Sequence, residues 1–315
     1  MTGMSFDDEI AALLALDAPD VVEHGEEPPP ALRGGTLARA LSGRRPGRPV
    51  DAVAACAPSA GFDRTVADLA ALLRSLAAPE WEAPAHAEHG RVRDVVAHLI
   101  GVERLVLRWL GTGPAAQDPV APDHVAATRP VLAELAGAEP RELARQWHEA
   151  ARAVAAAAVG GGDRPVAFHD LTLTADQLLV TRTAELWAHA IDICAATARP
   201  LPRLDMERMA MMCDALMAAV PLAMAYRGSA APGRAARVVL TGPAGGTFTV
   251  PLAPAPPLGP APQAGEPEVT IVADAVDFCR VAVRRLPADR LGAVIEGDLA
   301  LGELVLASVD ALARD

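Results

Sequence analysis

A glutamate and a histidine four residues apart form the clearest chemical pair in this sequence. Glu185 and His189 lie in the stretch 174–198, TADQLLVTRTAELWAHAIDICAATA, whose length and apolar content predict a helix. Residues four apart on a helix share one face and lie about one turn from each other. A carboxylate and an imidazole placed this way can bind a single divalent cation. Such a site needs a third ligand from another part of the chain.

His98 is the candidate for that third ligand. It lies in the stretch 91–110, RVRDVVAHLIGVERLVLRWL, an apolar helical run that can pack antiparallel against the first helix. Three protein ligands and one open coordination position are typical of catalytic zinc. The residues alone leave alternatives open. His98 can be a hydrogen-bonded core residue, and Glu185 can pair with Arg182 or His189 on a solvated face.

Other polar residues lie close to these candidates in the sequence. Asp192 is three residues after His189, on the same helix face, and can orient a ligand or the substrate. Asp94 stands one turn before His98 and has the same potential role. For His86 and His89, the polar loop containing proline favours solvated side chains over metal ligands.

Composition limits the classes of function. The chain has 315 residues, of which 51% are hydrophobic, enough for the cores of two domains. A net charge of −12 argues against a nucleic-acid partner. The four cysteines are scattered without a CxxC pair, which favours a reducing cytoplasm over a disulfide framework. The acidic N-terminus, with only a short apolar stretch, predicts neither export nor membrane insertion.

The pattern of residues divides the chain into three parts. Residues 1–60 are rich in proline, glycine and alanine and predict an irregular N-terminal extension. From residue 61 to 228 helical spacing dominates, and it predicts an antiparallel four-helix bundle. The four predicted helices cover 62–78, 92–110, 140–159 and 174–198.

The rest of the chain begins with a fifth helix and then changes character. The methionine-rich stretch 205–224 predicts a helix that packs against the bundle, with a methionine-lined ligand groove as the alternative. Three short β-branched segments follow, RVVLTGP, GTFTVPLAP and EVTIVAD, and two helical segments close the chain. Residues 235–315 therefore predict a small α+β domain, and the overall fold class is α+β.

The two segments that carry the candidate ligands resemble a known family. RVRDVVAHLIGVE around His98 and LLVTRTAELWAHAIDICAATARPL around Glu185 and His189 are similar to the mycothiol-dependent maleylpyruvate isomerases, within the DinB-like metal-dependent enzymes. The resemblance runs from Phe62 to the C-terminus. It implies a DinB-like bundle followed by a small, sterol-carrier-like domain.

The same resemblance implies a ligand set and a cosubstrate. His98, Glu185 and His189 would hold a divalent metal, usually zinc, and mycothiol would supply a metal-bound thiolate as nucleophile. Arg237, in the first predicted strand, is the candidate for holding an anionic substrate. Arg182 is a candidate for binding the cofactor.

These observations lead to one functional hypothesis and two alternatives. The hypothesis is a cytoplasmic, metal- and mycothiol-dependent isomerase or S-transferase that acts on a small electrophile, with no nucleic-acid or membrane partner. One alternative is a non-catalytic metal-binding or protein-interaction module. The other is a metal-dependent hydrolase that uses bound water.

Overall fold

The computed structural model describes residues 53–111, 124–168, 171–202, 204–255 and 265–313. Most of the predicted N-terminal extension therefore lies outside the described residues. Residues 53–56, which precede the first helix, contact the C-terminal half. The Val53 amide donates to the Pro243 carbonyl and the Cys56 amide to the Glu207 carbonyl, both at 3.3 Å.

The N-terminal half is a bundle of helices with one continuous apolar core. The helices are α1 Pro58–Ser75, α2 Val92–Trp109, α3 His124–Leu135, α4 Pro140–Ala158 and α5 Ala175–Ala196. Helix α1 packs on α5, and α2 packs on α4 and α3. The four predicted helices are confirmed. Helix α3 was not predicted, because Pro130 lies inside it and interrupts the helical pattern.

Two short hairpins precede the helices that carry the candidate ligands. Strands β1 Pro84–His86 and β2 Gly90–Arg91 lead into α2, and β3 Pro165–Phe168 and β4 Leu171–Thr174 lead into α5. Gly90 has a φ of +88°, a conformation that favours glycine, at the point where the first hairpin turns towards α2. The first hairpin packs against both α2 and α5.

The C-terminal half combines helices with a four-stranded sheet. Its elements are α6 Met206–Tyr226, β5 Ala235–Thr241, β6 Gly246–Pro251, β7 Val269–Asp274, α7 Ala275–Ala282, β8 Val294–Gly297 and α8 Leu299–Ser308. The strand order is β6-β5-β7-β8, in which only the β5–β7 pair is parallel. The three predicted strands and both closing helices are confirmed, as is the α+β class. Strand β8 was not predicted.

Helix α6 contacts α1 and α5 of the bundle, as predicted, but most of its buried side chains belong to a second apolar core. Its side chains Met209, Met217 and Met224 share that core with Ile271 and Phe278 of the C-terminal half. By length and composition α6 could cross a membrane, but 61% of its apolar window is buried in the protein. A buried core helix passes the same test, so this is weak evidence for a membrane span.

Candidate functional site

The start of α5 fixes the face on which its polar residues lie. The Thr174 side chain accepts a hydrogen bond from the Gln177 amide at 3.1 Å, and the Gln177 side chain accepts one from the Thr174 amide at 2.8 Å. This capping box begins the helix at a defined residue. Glu185 and His189 consequently lie one turn apart on the side of α5 that faces α2.

Three buried histidines converge between the first hairpin, α2 and α5. His89, His98 and His189 each offer a ring nitrogen, and these nitrogens all lie within 4.8 Å of one another. The His89 and His98 rings stack with centroids 3.8 Å apart, and His189 meets both nearly edge-on at 5.6 and 5.7 Å. We call these three residues the imidazole cluster. Such a donor set suits zinc and other divalent transition metals.

The expectation that His89 is solvated is wrong, since its side chain is only 5% exposed. The hairpin that precedes α2 folds against the bundle and brings this histidine inside. His86 remains half-buried at the edge of the cluster, where its Nδ1 accepts from the amides of Glu88 and His89 at 3.2 and 3.3 Å. It shapes the turn that presents His89.

The partners of His98 determine which of its nitrogens can bind a metal. The Thr128 hydroxyl donates to the Val125 carbonyl at 3.0 Å, so its oxygen is left to accept from His98 Nδ1 at 3.1 Å. A proton on Nδ1 leaves the lone pair on Nε2, the form in which imidazole binds metals. Gly101 permits this contact, because a Cβ there would meet Thr128 Cβ at 2.8 Å.

The Nδ1 atom of His189 also makes a hydrogen bond, and its partner is a carboxylate instead of a hydroxyl. Its Nδ1 donates to Asp192 Oδ2 at 3.1 Å, and a carboxylate only accepts, so the lone pair again falls on Nε2. Arg285 donates to both oxygens of Asp192 at 2.6 Å. Burial raises the pKa of Asp192, but the hydrogen bonds from His189 and Arg285 outweigh it and hold this pKa below its ordinary value.

Glu185 lies beside the cluster and is also part of an ion-pair network. Its Oε1 is 4.0 Å from His98 Nε2, and its Oε2 pairs with Arg182. Arg182 also donates to Glu103 at 2.7 Å, and both of these side chains are fully buried. The Glu185–Arg182 contact considered from the sequence is therefore present, but on a buried face.

The buried network around Arg182 joins one guanidinium to two carboxyl groups. Burial lowers the pKa of Arg182, but Glu103 and Glu185 raise it by more, so the guanidinium stays charged. Burial raises the pKa of Glu103 above its ordinary value, although Arg182 opposes that change. The cation of Arg182 is therefore compensated within the bundle.

The remaining predicted residues lie elsewhere. Asp94 caps the start of α2, where it accepts from the Arg91 amide at 3.1 Å. Arg237 lies within β5, opposite Thr249 and Thr270, and is not among the described residues that line the cavity beside the cluster. Arg285 is the C-terminal arginine that reaches the site. In the sequence, Arg285 is marked only by its neighbour Arg284, since the two form an arginine pair near the end of a predicted helix.

A cavity of about 220 Å³ adjoins the imidazole cluster, between the bundle and the C-terminal half. His189 and Glu185 belong to its wall, together with Arg182 and Arg285. Most of the remaining wall is apolar and includes Met212 of α6, so this methionine-rich helix serves both the second core and the cavity. The cavity gives a small molecule access to the His189 side of the cluster.

Comparison with known proteins finds a family model that matches most of the bundle. Residues 62–194 match the family model described as Mycothiol maleylpyruvate isomerase N-terminal domain, in agreement with the resemblance seen in the sequence. The matched segment contains the whole imidazole cluster and Glu185. Arg285 and the cavity wall formed by α6 and α7 lie outside it.

Two solved structures are also similar to this chain. One is a crystal structure of the mycothiol-dependent maleylpyruvate isomerase, with 16% identity over 72% of this chain and 88% of that chain, at a TM-score of 0.49. The other is a mutant of that isomerase with a histidine replaced by alanine, with 18% identity, the same coverage and a TM-score of 0.48. No curated protein matches the sequence.

Proposed function

We propose that this chain, whose residues 62–194 are a mycothiol maleylpyruvate isomerase N-terminal domain, is a metal-dependent enzyme that uses mycothiol to isomerise or modify a small electrophile. The observation that carries the proposal is the convergence of three buried imidazoles beside a cavity. A cytoplasmic location and the absence of nucleic-acid and membrane partners remain predictions from the sequence.

His89, His98 and His189 would hold a divalent metal, and zinc is the best match to three neutral imidazoles. When bound, such a metal lowers the pKa of a thiol in its open coordination position, so that the reactive thiolate predominates at neutral pH. The hydrogen bonds from Nδ1 of His98 and His189 support this role, because they leave Nε2 of each ring available. The set predicted from the sequence, with Glu185 in place of His89, would use Glu185 Oε1, which lies 4.0 Å from His98 Nε2 while Oε2 pairs with Arg182.

The surrounding residues orient these groups and shield them from water. Asp192 fixes the ring of His189, and Arg285 fixes Asp192 from the C-terminal half. Arg182 holds Glu185 beside His98. The apolar cavity wall excludes water where the electrophile would lie.

The proposed reaction begins when the thiol sulfur adds to an activated carbon–carbon double bond: a C–S bond forms as the π bond opens to an enolate. In an isomerase the C–S bond breaks again after rotation about the neighbouring bond, and the π bond re-forms. In a transferase the C–S bond remains, and the enolate carbon takes up the proton that the thiol released. Arg237 and Arg182 stay predictions as binding groups for substrate and cofactor.

Replacement of single histidines tests the proposal. We expect His189→Ala to lose stoichiometric divalent metal, measured by elemental analysis of the purified protein, and to lose thiol-dependent turnover. His148→Ala, on α4 outside the cluster, is the matched control and should keep both. A wild-type protein without stoichiometric metal, together with unchanged activity of His189→Ala, would refute the proposal.

A comparison of three further variants separates the two ligand sets. If His89 is a ligand, His89→Ala should weaken metal affinity, measured by chelator competition, about as much as His98→Ala. Glu185→Gln should then have the smaller effect. The reverse order would assign the site to His98, Glu185 and His189.

The two alternatives predict different results with mycothiol. Calorimetric titration of the metal-loaded protein should give a saturable signal if the thiol is a cosubstrate. Thiol-independent turnover of esters would instead favour the hydrolase. Metal binding with neither thiol binding nor turnover would favour the non-catalytic module.

A further inference from the structure

The charged side chains that line the cavity already have partners of opposite charge within the part of the chain that the structure describes. Arg285 makes two hydrogen bonds of 2.6 Å to Asp192, whose other contact is His189. Arg182 lies between Glu103 and Glu185. Neither cation is left uncompensated to receive an anionic ligand.

The rest of the described wall offers an apolar surface. Apart from Thr181, Arg182, Glu185, His189 and Arg285, every lining residue is apolar or a cysteine. The bundle contributes aromatic and aliphatic side chains, and α6 and α7 contribute aliphatic ones; examples are Trp109, Phe168, Leu173, Leu216 and Val283. At about 220 Å³ the cavity is smaller than the roughly 300–1,000 Å³ sites that hold drug-sized ligands.

We infer that the electrophile bound by this cavity is a small, neutral and largely apolar molecule, and not a dicarboxylate such as maleylpyruvate. This inference rests on the proposed function, since it names the substrate class of the same site. A dicarboxylate would have to displace Asp192 from Arg285 or Glu185 from Arg182. Either exchange leaves a carboxylate of the protein desolvated beside those of the ligand, which is costly. A neutral apolar molecule fits the wall without breaking either pair.

A neutral enone is a suitable member of this class. The thiol adds across its carbon–carbon double bond: a C–S and a C–H bond form, while the S–H bond and the π bond break. The addition balances without an oxidant, a reductant or any other reactant.

Binding measurements test the inference independently of turnover. Calorimetry on the full-length protein should give at least about tenfold tighter binding for a small aryl ketone than for maleate. Equal or tighter binding of maleate overturns the inference. Turnover with mycothiol is measured separately, using an aryl enone and maleylpyruvate. Failure with both refutes the proposed function, whereas a preference for maleylpyruvate refutes only the inference.

Two variants test the charge argument directly. Ala219 lines the cavity and is only half-buried, so Ala219→Arg can add a cation there, with Ala219→Gln as its neutral control. We expect about tenfold tighter maleate binding for the arginine variant alone. Asp192→Asn, which leaves the charge of Arg285 without its carboxylate, should change maleate binding in the same direction. Unchanged maleate binding in both Ala219→Arg and Asp192→Asn would overturn the argument.

Discussion

The imidazole cluster and the cavity beside it differ in both composition and origin. The cluster is built from the first hairpin, α2 and α5, all inside the segment that the family model covers. The cavity is mostly apolar, and α6 and α7 supply much of its wall from outside that segment. The two regions meet at His189. The comparison separates two proposed roles: the bundle would hold the metal, and the C-terminal half would shape the space for the molecule on which it acts.

Arg182 and Arg285, which both line the cavity, repeat this contrast on a smaller scale. Arg182 and its carboxylates lie entirely within the bundle. Arg285 crosses from the C-terminal half to Asp192 on α5. The first arginine therefore stabilises one domain, whereas the second couples the position of His189 to the packing of two.

Removing one imidazole should give the largest effect and separate the two regions most clearly. We expect His98→Ala to abolish stoichiometric metal binding, because two remaining imidazoles cannot complete the cluster. Binding of a small aryl ketone in the cavity should persist, since His98 does not line it. Elemental analysis and calorimetry on the same preparation measure the two quantities. Loss of both would mean that cluster and cavity are not separable.

Removing the buried arginine of the bundle should give the next largest effect. Arg182→Met leaves Glu103 and Glu185 without their cation, which should lower the free energy of unfolding by about 3–5 kcal/mol. Urea denaturation measures the loss. The control is Arg104→Met, which breaks an exposed pair with Glu134 and should cost less than about 1 kcal/mol. Similar losses in both variants would contradict the special role of Arg182.

Weakening the contact of Asp192 with His189 and Arg285, which links the two halves, should have an intermediate effect. Asp192→Asn removes the charge and one of the two acceptor oxygens that His189 and Arg285 share, and partners of this kind are worth about 10–100-fold in metal affinity. Chelator competition measures the change, with the exposed Asp163→Asn as control. An Asp192→Asn protein with wild-type metal affinity would show that His189 is oriented by other contacts.

The smallest effect on stability is expected at Glu80, which belongs neither to the imidazole cluster nor to the cavity wall. Glu80 accepts hydrogen bonds from Arg199, which follows α5, and from the Ala77 amide, and these lower its pKa to about 2. Its folded pKa lies below the unfolded value, so the contribution is present near neutral pH and is lost as pH falls from about 4.3 towards 2. We expect Glu80→Gln to be slightly less stable than wild type at pH 7 and equal to it near pH 2, by urea denaturation. A pH-independent difference would contradict this assignment.

Helical periodicity predicted much of this structure from the sequence. It located four bundle helices and brought His98 near Glu185 and His189, because residues on apolar helix faces must meet in a core. The β-branched segments predicted three strands for the same reason. These features depend on spacing within one element.

The missed features depend on contacts between elements. His89 lies in a polar loop, and only the packing of the hairpin against α2 and α5 buries it. Helix α3, which supplies Thr128, was hidden by Pro130. Arg285 is separated from Asp192 by 93 residues, and no local pattern distinguishes it from Arg237.

The position of two α5 side chains has a consequence for how such a protein can diversify. Val180 and Trp187 project from α5 into the second core, together with residues of α6 and the sheet. A C-terminal half acquired by recombination after α5 would need to fit this apolar contact and to replace polar contacts such as that between Arg285 and Asp192. The helices that carry the imidazole cluster could then be reused for a new substrate with little change to their own sequence.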